Sequence, residues 1–373
     1  MIRKVLIICS LIYSINGFSQ SNYSVSSGLI FKDYYHMSVI SVFASGENTY
    51  VTCSTQDENI NVNIPTIYTI SDNKIVSKIR LTPKDEVFFS DIKIFDNKIL
   101  LIGVIPTGTG EEMQGYIGLF DFDGKEFWTV KLEKLYEGIE KTFITKDYFE
   151  VITNGEKGLF AYKINYQGKV LNKKEISEKN YIHDAIKLND SGYLILSDSL
   201  NSKGESVCLK LTQCDINYNI TKFQSIESVK SFLPTKFVEY TNGFIIAGNV
   251  DSEGFIPYLF FVGKDLRLKK LTKYHFEPDN YKFKSSFQIK DIQYSPTQNE
   301  FVACGVAKIV TDETNIIFTL NMDKLLSYKL LDLTGIWGNN KVYNISNNSF
   351  DIVTDIKTND DFDTKIKMIN IKK

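Results

Sequence analysis

Alanine is almost missing from this chain. Its 373 residues include six, at positions 44, 161, 185, 247, 303 and 307. The strongest helix former is withheld, whereas 26 Phe and 21 Tyr join abundant Ile and Val. That balance predicts an almost all-β protein. Glycine and proline are sparse at 22 and 7, which excludes collagen-like and linker-type chains. Neither sign of charge dominates: 43 Lys and Arg face 45 Asp and Glu, for a net charge of −2. A nucleic-acid footprint is therefore not expected. At 43% hydrophobic residues the chain has enough apolar mass for a large core, so wholesale disorder is excluded. Catalytic signatures are also lacking. No Gly-x-Ser-x-Gly elbow, Walker-type loop or dinucleotide fingerprint occurs, and the three histidines, His36, His183 and His275, are widely spread.

Long apolar runs are absent with one exception. Arg3 and Lys4 precede an apolar stretch from Val5 to Ile15, followed by small and polar residues up to Gln20. This is the grammar of a signal peptide over 1–20, and the run is too short to cross a bilayer. The remainder, 21–373, is expected to be one exported domain without a membrane span, placed in the periplasm, on the cell surface or outside the cell. Export permits disulfides, and Cys208 and Cys214 could bridge one hairpin; four unpaired thiols are the other reading.

What the chain does have is a repeat. Seven segments share one pattern of a turn residue, a variable residue, an aromatic or aliphatic, then apolar residues closing on a small one. Asn48-Thr-Tyr-Val-Thr-Cys-Ser54, Asn97-Lys-Ile-Leu-Leu-Ile-Gly103 and Asp147-Tyr-Phe-Glu-Val-Ile-Thr153 come first. Ser191–Ser197, Asn242–Gly248, Asn299–Gly305 and Asn348–Thr354 continue it. Each is preceded by a short alternating strand and followed by two more, with Asn, Asp and Gly between them, which is hairpin chemistry. Four antiparallel strands in forty-odd residues make a propeller blade. The expected fold is a seven-bladed β-propeller of four-stranded antiparallel blades. The final small residue of each motif is expected where neighbouring blades crowd toward the axis. The last repeat has room for only three strands, around Thr364–Ile371 at its end. A strand-like piece near Tyr23–Lys32 is therefore expected to pair there and close the ring.

Asn242-Gly-Phe-Ile-Ile-Ala-Gly248 with Pro257-Tyr-Leu-Phe-Phe-Val-Gly-Lys264 resembles the secreted tandem-repeat propellers of Bacteroidetes-type bacteria, as does Asp121-Phe-Asp-Gly-Lys-Glu-Phe-Trp128. The resemblance spans about residues 35–373 and implies a fold and an exported location, not an activity. Doubled Kelch glycines and the sialidase Asp box are absent.

Candidate site residues follow from the ring geometry. Asp91, Asp184 and Asp291 are each expected at the start of a first strand, in the second, fourth and sixth repeats. Innermost strands converge at a channel, where oxygen ligands could hold Ca²⁺; solvent-facing strand starts are the plainer reading. No other cofactor is expected. Acidic pairs in the second-to-third-strand loops (Asp57-Glu58, Glu111-Glu112, Asp251 with Glu253, Asp312-Glu313, Asp360-Asp361 with Asp363) would form a negative rim. His183, next to Asp184, and Trp337, in an irregular link, are candidate ligand-binding side chains. Asp121-Phe-Asp-Gly124 reads as turn chemistry rather than a calcium loop. The expected role is a monomeric binding or scaffold module for a protein, peptide or glycan at the cell envelope. The alternative is a polysaccharide hydrolase or lyase using carboxylates near the channel mouth.

Overall fold

The structure, a computed structural model, describes residues 24–34, 36–57, 60–107, 112–155, 158–178, 180–188, 192–200, 206–227, 232–250, 256–274, 286–309, 312–320, 325–331, 341–343, 345, 349–357 and 364–372. The expected signal segment, His275 and Trp337 lie outside the described residues, as do the side chains of the acidic loop pairs.

Every described regular element is a strand. β1 (Ser24–Phe31) stands apart from its sequence neighbours. A meander follows of β2 (His36–Ser45), β3 (Asn48–Asp57), β4 (Ile60–Ser71) and β5 (Lys74–Arg80). Next come β6 (Phe88–Phe95), β7 (Lys98–Thr107), β8 (Glu112–Phe120) and the long β9 (Glu126–Ile144), then β10 (Tyr148–Gly155), β11 (Gly158–Asn165) and β12 (Val170–Glu178). Two more meanders are β13 (Asn180–Leu188), β14 (Gly192–Leu200), β15 (Ser206–Cys214), β16 (Ile220–Ile226) and β17 (Phe232–Tyr240), β18 (Gly243–Val250), β19 (Ile256–Gly263), β20 (Leu268–Lys273). The chain continues through β21 (Ser286–Ser295), β22 (Glu300–Ile309), β23 (Asp312–Leu320), β24 (Leu325–Leu331), β25 (Lys341–Tyr343), β26 (Ser349–Lys357) and β27 (Thr364–Lys372).

These strands form six blades, which corrects the expectation of seven. Five sheets have four strands, and one has seven in the order β12-β11-β10-β9-β8-β7-β6. The cause is β9. Its first half pairs with β8 from Glu126 to Leu135, and its second half with β10 up to Ile144. No proline and no Asn or Asp turn interrupts 126–144, so the chain runs on as one strand and fuses the second and third repeats into one sheet. The ring is completed by β1, which pairs antiparallel with β27 in the order β1-β27-β26-β25. Asp33 and Tyr34 then carry the chain onto the next blade. Tyr68 donates to Asp33 at 3.0 Å, Lys78 pairs with Asp33 at 2.5 Å, and Lys78 also lies over the Tyr34 ring.

Local turn chemistry explains the hairpins. Asp72-Asn73 and Asp96-Asn97 both take left-handed φ, as two-residue type I′ turns require. Between third and fourth strands, Asp121, Asn165 and Asp215 each accept from backbone N–H groups two and four residues ahead, at 2.8–3.1 Å. The expected turn role of Asp121 is thus seen directly. The left-handed slot of this turn is Gly124 or Gly168 in two copies, but Tyr218 and Leu266 in the others. Burial of those two side chains offsets their backbone strain.

The core lies between blades. Phe237, Phe244, Phe260, Leu194, Leu196 and Leu211 pack in one such layer, and Ile289, Ile292, Phe301, Leu259 and Phe261 in the next. Trp128 packs on the following turn and donates to the Tyr166 carbonyl at 2.9 Å. Where the motif closes on glycine, the close approach lies within the hairpin, against the paired strand, rather than between blades. A Cβ on Gly103, Gly248 or Gly305 would strike the carbonyl oxygen of Phe88, Leu233 or Gln288 on the strand paired to it.

Candidate functional site

The first strands do not run straight. In β6, β9, β13, β17 and β21 the register slips by one residue, a β-bulge, just before Asp91, Lys141, Asp184, Lys236 and Asp291. Each of these pairs with the residue preceding the motif-closing one: Ile102, Ile152, Leu196, Ala247 and Cys304. Lys341 in β25 holds the same register, opposite Val353. In β2 the bulge falls one pair later, between Val39 and Ser41, and the residue after it is Ser41, opposite Thr52. Around the axis the chain therefore places Asp, Lys, Asp, Lys, Asp, Lys and one neutral residue. The bulges aim these side chains at the neighbouring blades.

The aspartates do converge, with lysine among them. Asp291, then Asp184 and Asp91, hold the Lys236 ammonium above its ordinary range, although partial burial pulls the other way. Lys141 Nζ reaches Asp184 Oδ1 at 2.6 Å, Lys236 lies 3.4 Å from Asp291 Oδ1, and Lys93 lies 2.8 Å from Asp91 Oδ2. The remaining carboxylate oxygens accept backbone N–H groups. Asp91 Oδ1 takes Ile92 (2.9 Å), Asp184 Oδ2 takes Phe237 (3.2 Å) and Asp291 Oδ2 takes Val342 (3.0 Å). The last two bonds cross to the next sheet. Asp184 and Asp291 are 9% and 3% exposed, so their charges persist only because ammonium and N–H partners replace water. All three aspartates sit within strands rather than at strand starts. Among the described residues, no group of three or more His, Cys, Asp and Glu is placed to hold a metal ion.

A second set of clamps alternates with the first. Asn154 in β10 accepts from Ile182 N–H at 2.9 Å and donates to the Ile182 carbonyl at 3.4 Å. Asn249 in β18 grips Ile289 in the same way, at 2.8 and 3.1 Å. Where the ring closes, Asp355 Oδ2 accepts from Val39 N–H at 3.4 Å, and Thr364 Oγ1 contacts both the N–H and the carbonyl of Met37. Inner strands carrying Asp thus reach forward, and second strands carrying Asn or Asp grip the blade after.

His183 is the bulged residue of β13. Its Nε2 lies 3.0 Å from Asp198 Oδ1 on β14, at angles that make no hydrogen bond, and its ring meets Tyr181 edge-on at 5.5 Å. Its partner is therefore Asp198 and not the adjacent Asp184. Farther out, Glu150 is fully buried, with Lys187 Nζ at 2.9 Å and Lys163 Nζ at 4.0 Å. Burial pushes the Tyr218 hydroxyl up, and Glu150 adds to that. Cys208 and Cys214 lie six residues apart on the single strand β15, about 20 Å of extended chain, and all four described cysteines are free thiols.

Sequence reasoning found Asp91, Asp184 and Asp291 but missed Lys141, Lys236, Lys341, Asn154 and Asn249. The signal was present. The charged residues stand eight to ten positions before Ile99, Phe149, Tyr193, Phe244, Phe301 and Phe350. The one- and two-residue differences in turn length hide the alternation unless the bulges are known.

No protein-family model matches this chain, and no curated protein does. Solved structures do resemble it. An ulvan lyase described as a new polysaccharide lyase family superposes with a TM-score of 0.56 at 10% identity, covering 94% of this chain and 95% of that one. A post-proline cleaving enzyme from Rickettsia typhi gives 0.51 at 14% identity, over 90% of this chain and 51% of that one. A member of the DUF4221 family from Bacteroides vulgatus gives 0.40 at 10% identity, over 95% and 98%. The likeness at these identities is one of fold: the chain is an all-β propeller of repeated blades.

Proposed function

We propose that this protein is a binding or scaffold propeller that presents its loops and axial opening to a protein, peptide or glycan. One observation carries the reading. The ionisable groups that meet at the axis are consumed by one another: every oxygen of Asp91, Asp184 and Asp291 already has an ammonium or N–H partner. Carboxylates held this way lock blades together and are poorly placed to exchange protons with a substrate. A rigid ring with variable loops suits recognition. We place the protein in the envelope or outside the cell, with 1–20 as its export signal. The second reading, polysaccharide hydrolysis or elimination, is favoured by the full-length fold likeness to the ulvan lyase and by the His183–Asp198 pair.

Affinity capture from envelope extract, with a glycan array beside it, separates the two. A retained partner or glycan without turnover is the expected result. Release of reducing ends or unsaturated uronate products, lost on substituting His183 or Asp198, would overturn the binding reading.

A further inference from the structure

Four second strands carry Asn or Asp directly after the motif-closing residue: Asn154, Asp198, Asn249 and Asp355. Three of these side chains grip the next blade at one place, the N–H of the residue just before its bulge. Asn154 takes Ile182 at 2.9 Å, Asn249 takes Ile289 at 2.8 Å and Asp355 takes Val39 at 3.4 Å. For Asp198 the corresponding residue is Pro234, which pairs with Gly248 just before the bulge of β17. Proline has no N–H to give. The clamp is impossible at this junction, and Asp198 is left with the bulged residue of its own sheet, much as Asn249 also reaches Thr235. That residue is His183, whose buried Nε2 makes no hydrogen bond although it lies 3.0 Å from Asp198 Oδ1. Asp91, Asp184 and Asp291 each hold an ammonium and an N–H, and Asp355 holds an N–H. Among the described residues Asp198 holds neither, and 14% of its side chain stays accessible. The ammonium groups of Lys141 and Lys236 are already engaged by Asp184 and Asp291. A carboxylate largely out of water and without a cation is costly to keep.

We propose that Asp198 anchors the ammonium group of a lysine-bearing peptide, received at the axial mouth beside His183 and Tyr181. The charge around the site selects the class. Asp198 lies two residues from the end of β14, on the face where second strands pass to third strands. Those seven connections, 57–60, 107–112, 155–158, 200–206, 250–256, 309–312 and 357–364, carry twelve Asp and Glu against three Lys in sequence. The links from fourth to first strands on the same face are close to neutral. Such a face steers cations inward, and a carboxylate or phosphate ligand would meet like charge. Asp198 supplies the counter-charge that Pro234 leaves unused, and the Tyr181 ring, 5.5 Å from the imidazole, walls the site with an aromatic surface. An ammonium-to-carboxylate hydrogen bond is about twice as strong as a neutral one. This names the partner class of the binding function proposed above and rests on that reading.

The test uses the full chain and three probes, trilysine, triglutamate and D-glucosamine, followed by ligand-observed NMR and calorimetry. Trilysine should bind with a Kd on the order of 1 mM or tighter, and triglutamate should not. Asp198→Asn should lower that affinity at least about tenfold, and Glu58→Gln on the rim should cost far less. Pro234→Ala returns an N–H to the junction. Asp198 should turn to it, so trilysine binding should weaken while the melting point holds or rises. Equal binding by Asp198→Asn with an unchanged melting point would overturn the proposal, and if that variant does not fold, undiminished binding by Pro234→Ala would do the same. Equal losses for Asp198→Asn and Glu58→Gln would reduce the binding to the field of the rim and remove the site. Binding of glucosamine in place of trilysine would overturn the peptide class. So would no trilysine binding by the wild type, even where capture from envelope extract succeeds; that pairing leaves the binding function standing and removes only this site.

Discussion

Asn249 offers a measurement of what holds neighbouring blades together. Its amide makes two bonds to one residue of the next sheet, from Ile289 N–H at 2.8 Å and to the Ile289 carbonyl at 3.1 Å, and a third to Thr235 at 3.2 Å. The side chain is 7% exposed and Ile289 1%, so water cannot replace the lost partner without opening the junction. Asn249→Ala leaves a buried N–H and a buried carbonyl unsatisfied, at about 1–3 kcal/mol each, or roughly 2–6 kcal/mol together. A cooperative unit of this size has an unfolding entropy of about 0.7 kcal/mol/K, so the melting point should fall by roughly 3–9 °C. Asn154→Ala should cost somewhat less, because its carbonyl contact is longer, at 3.4 Å. Asn172→Ala, on an exposed position of β12, should stay within about 0.5 kcal/mol. Differential scanning calorimetry with a urea titration reads all three. A fall of less than about 1 °C for Asn249→Ala would mean that the blades are held by apolar packing alone and that the clamps are incidental.

Other consequences follow from the same geometry. Deleting 24–31 removes the pairing of β1 with β27 and exposes an edge of the last sheet; the urea midpoint should drop sharply, and an unchanged midpoint would contradict ring closure by β1. Lys236 has a raised pKa, so its contribution is fully present below the ordinary lysine value of 10.5 and is lost as pH rises through the raised one. The melting deficit of Lys236→Met relative to wild type should therefore be constant from neutral pH to about 10 and shrink above it; a deficit unchanged into strong alkali would rule the ion pairs out as its source. Of the four described thiols, Cys208 alone is partly accessible. Burial pushes Cys214 up to about 12 and raises Cys53 and Cys304, so a thiol reagent should label Cys208 rapidly in the native state and the other three only on unfolding, as peptide mapping would show.

Much of the fold was legible because strand and turn formation are local. The Asp72-Asn73 and Asp96-Asn97 turns, the Asp121 turn and the unbroken apolar runs of β7 and β18 specify hairpins within a dozen residues, and seven copies of one motif specify a ring. The pairing of β1 with β27 could be anticipated by counting strands, since the last repeat was one short. The candidate site was half legible. Three aspartates were visible as charges on otherwise apolar strands. Their lysine partners were not singled out, because Lys93 and Lys236 alternate with apolar neighbours as any half-exposed strand would.

The amino-acid sequence by itself determined that this chain is a propeller of hairpins punctuated by Asn, Asp and Gly, since those residues set backbone angles without help from distant parts. Tertiary structure alone decided two things. One was that β9 runs unbroken and reduces the blades to six, because a link becomes a strand only when partners on both sides supply its hydrogen bonds. The other was which charge meets which. Asp184 and Phe237, or Lys236 and Asp291, are some fifty residues apart in sequence and become neighbours only when inner strands are gathered round one axis and bulged toward each other.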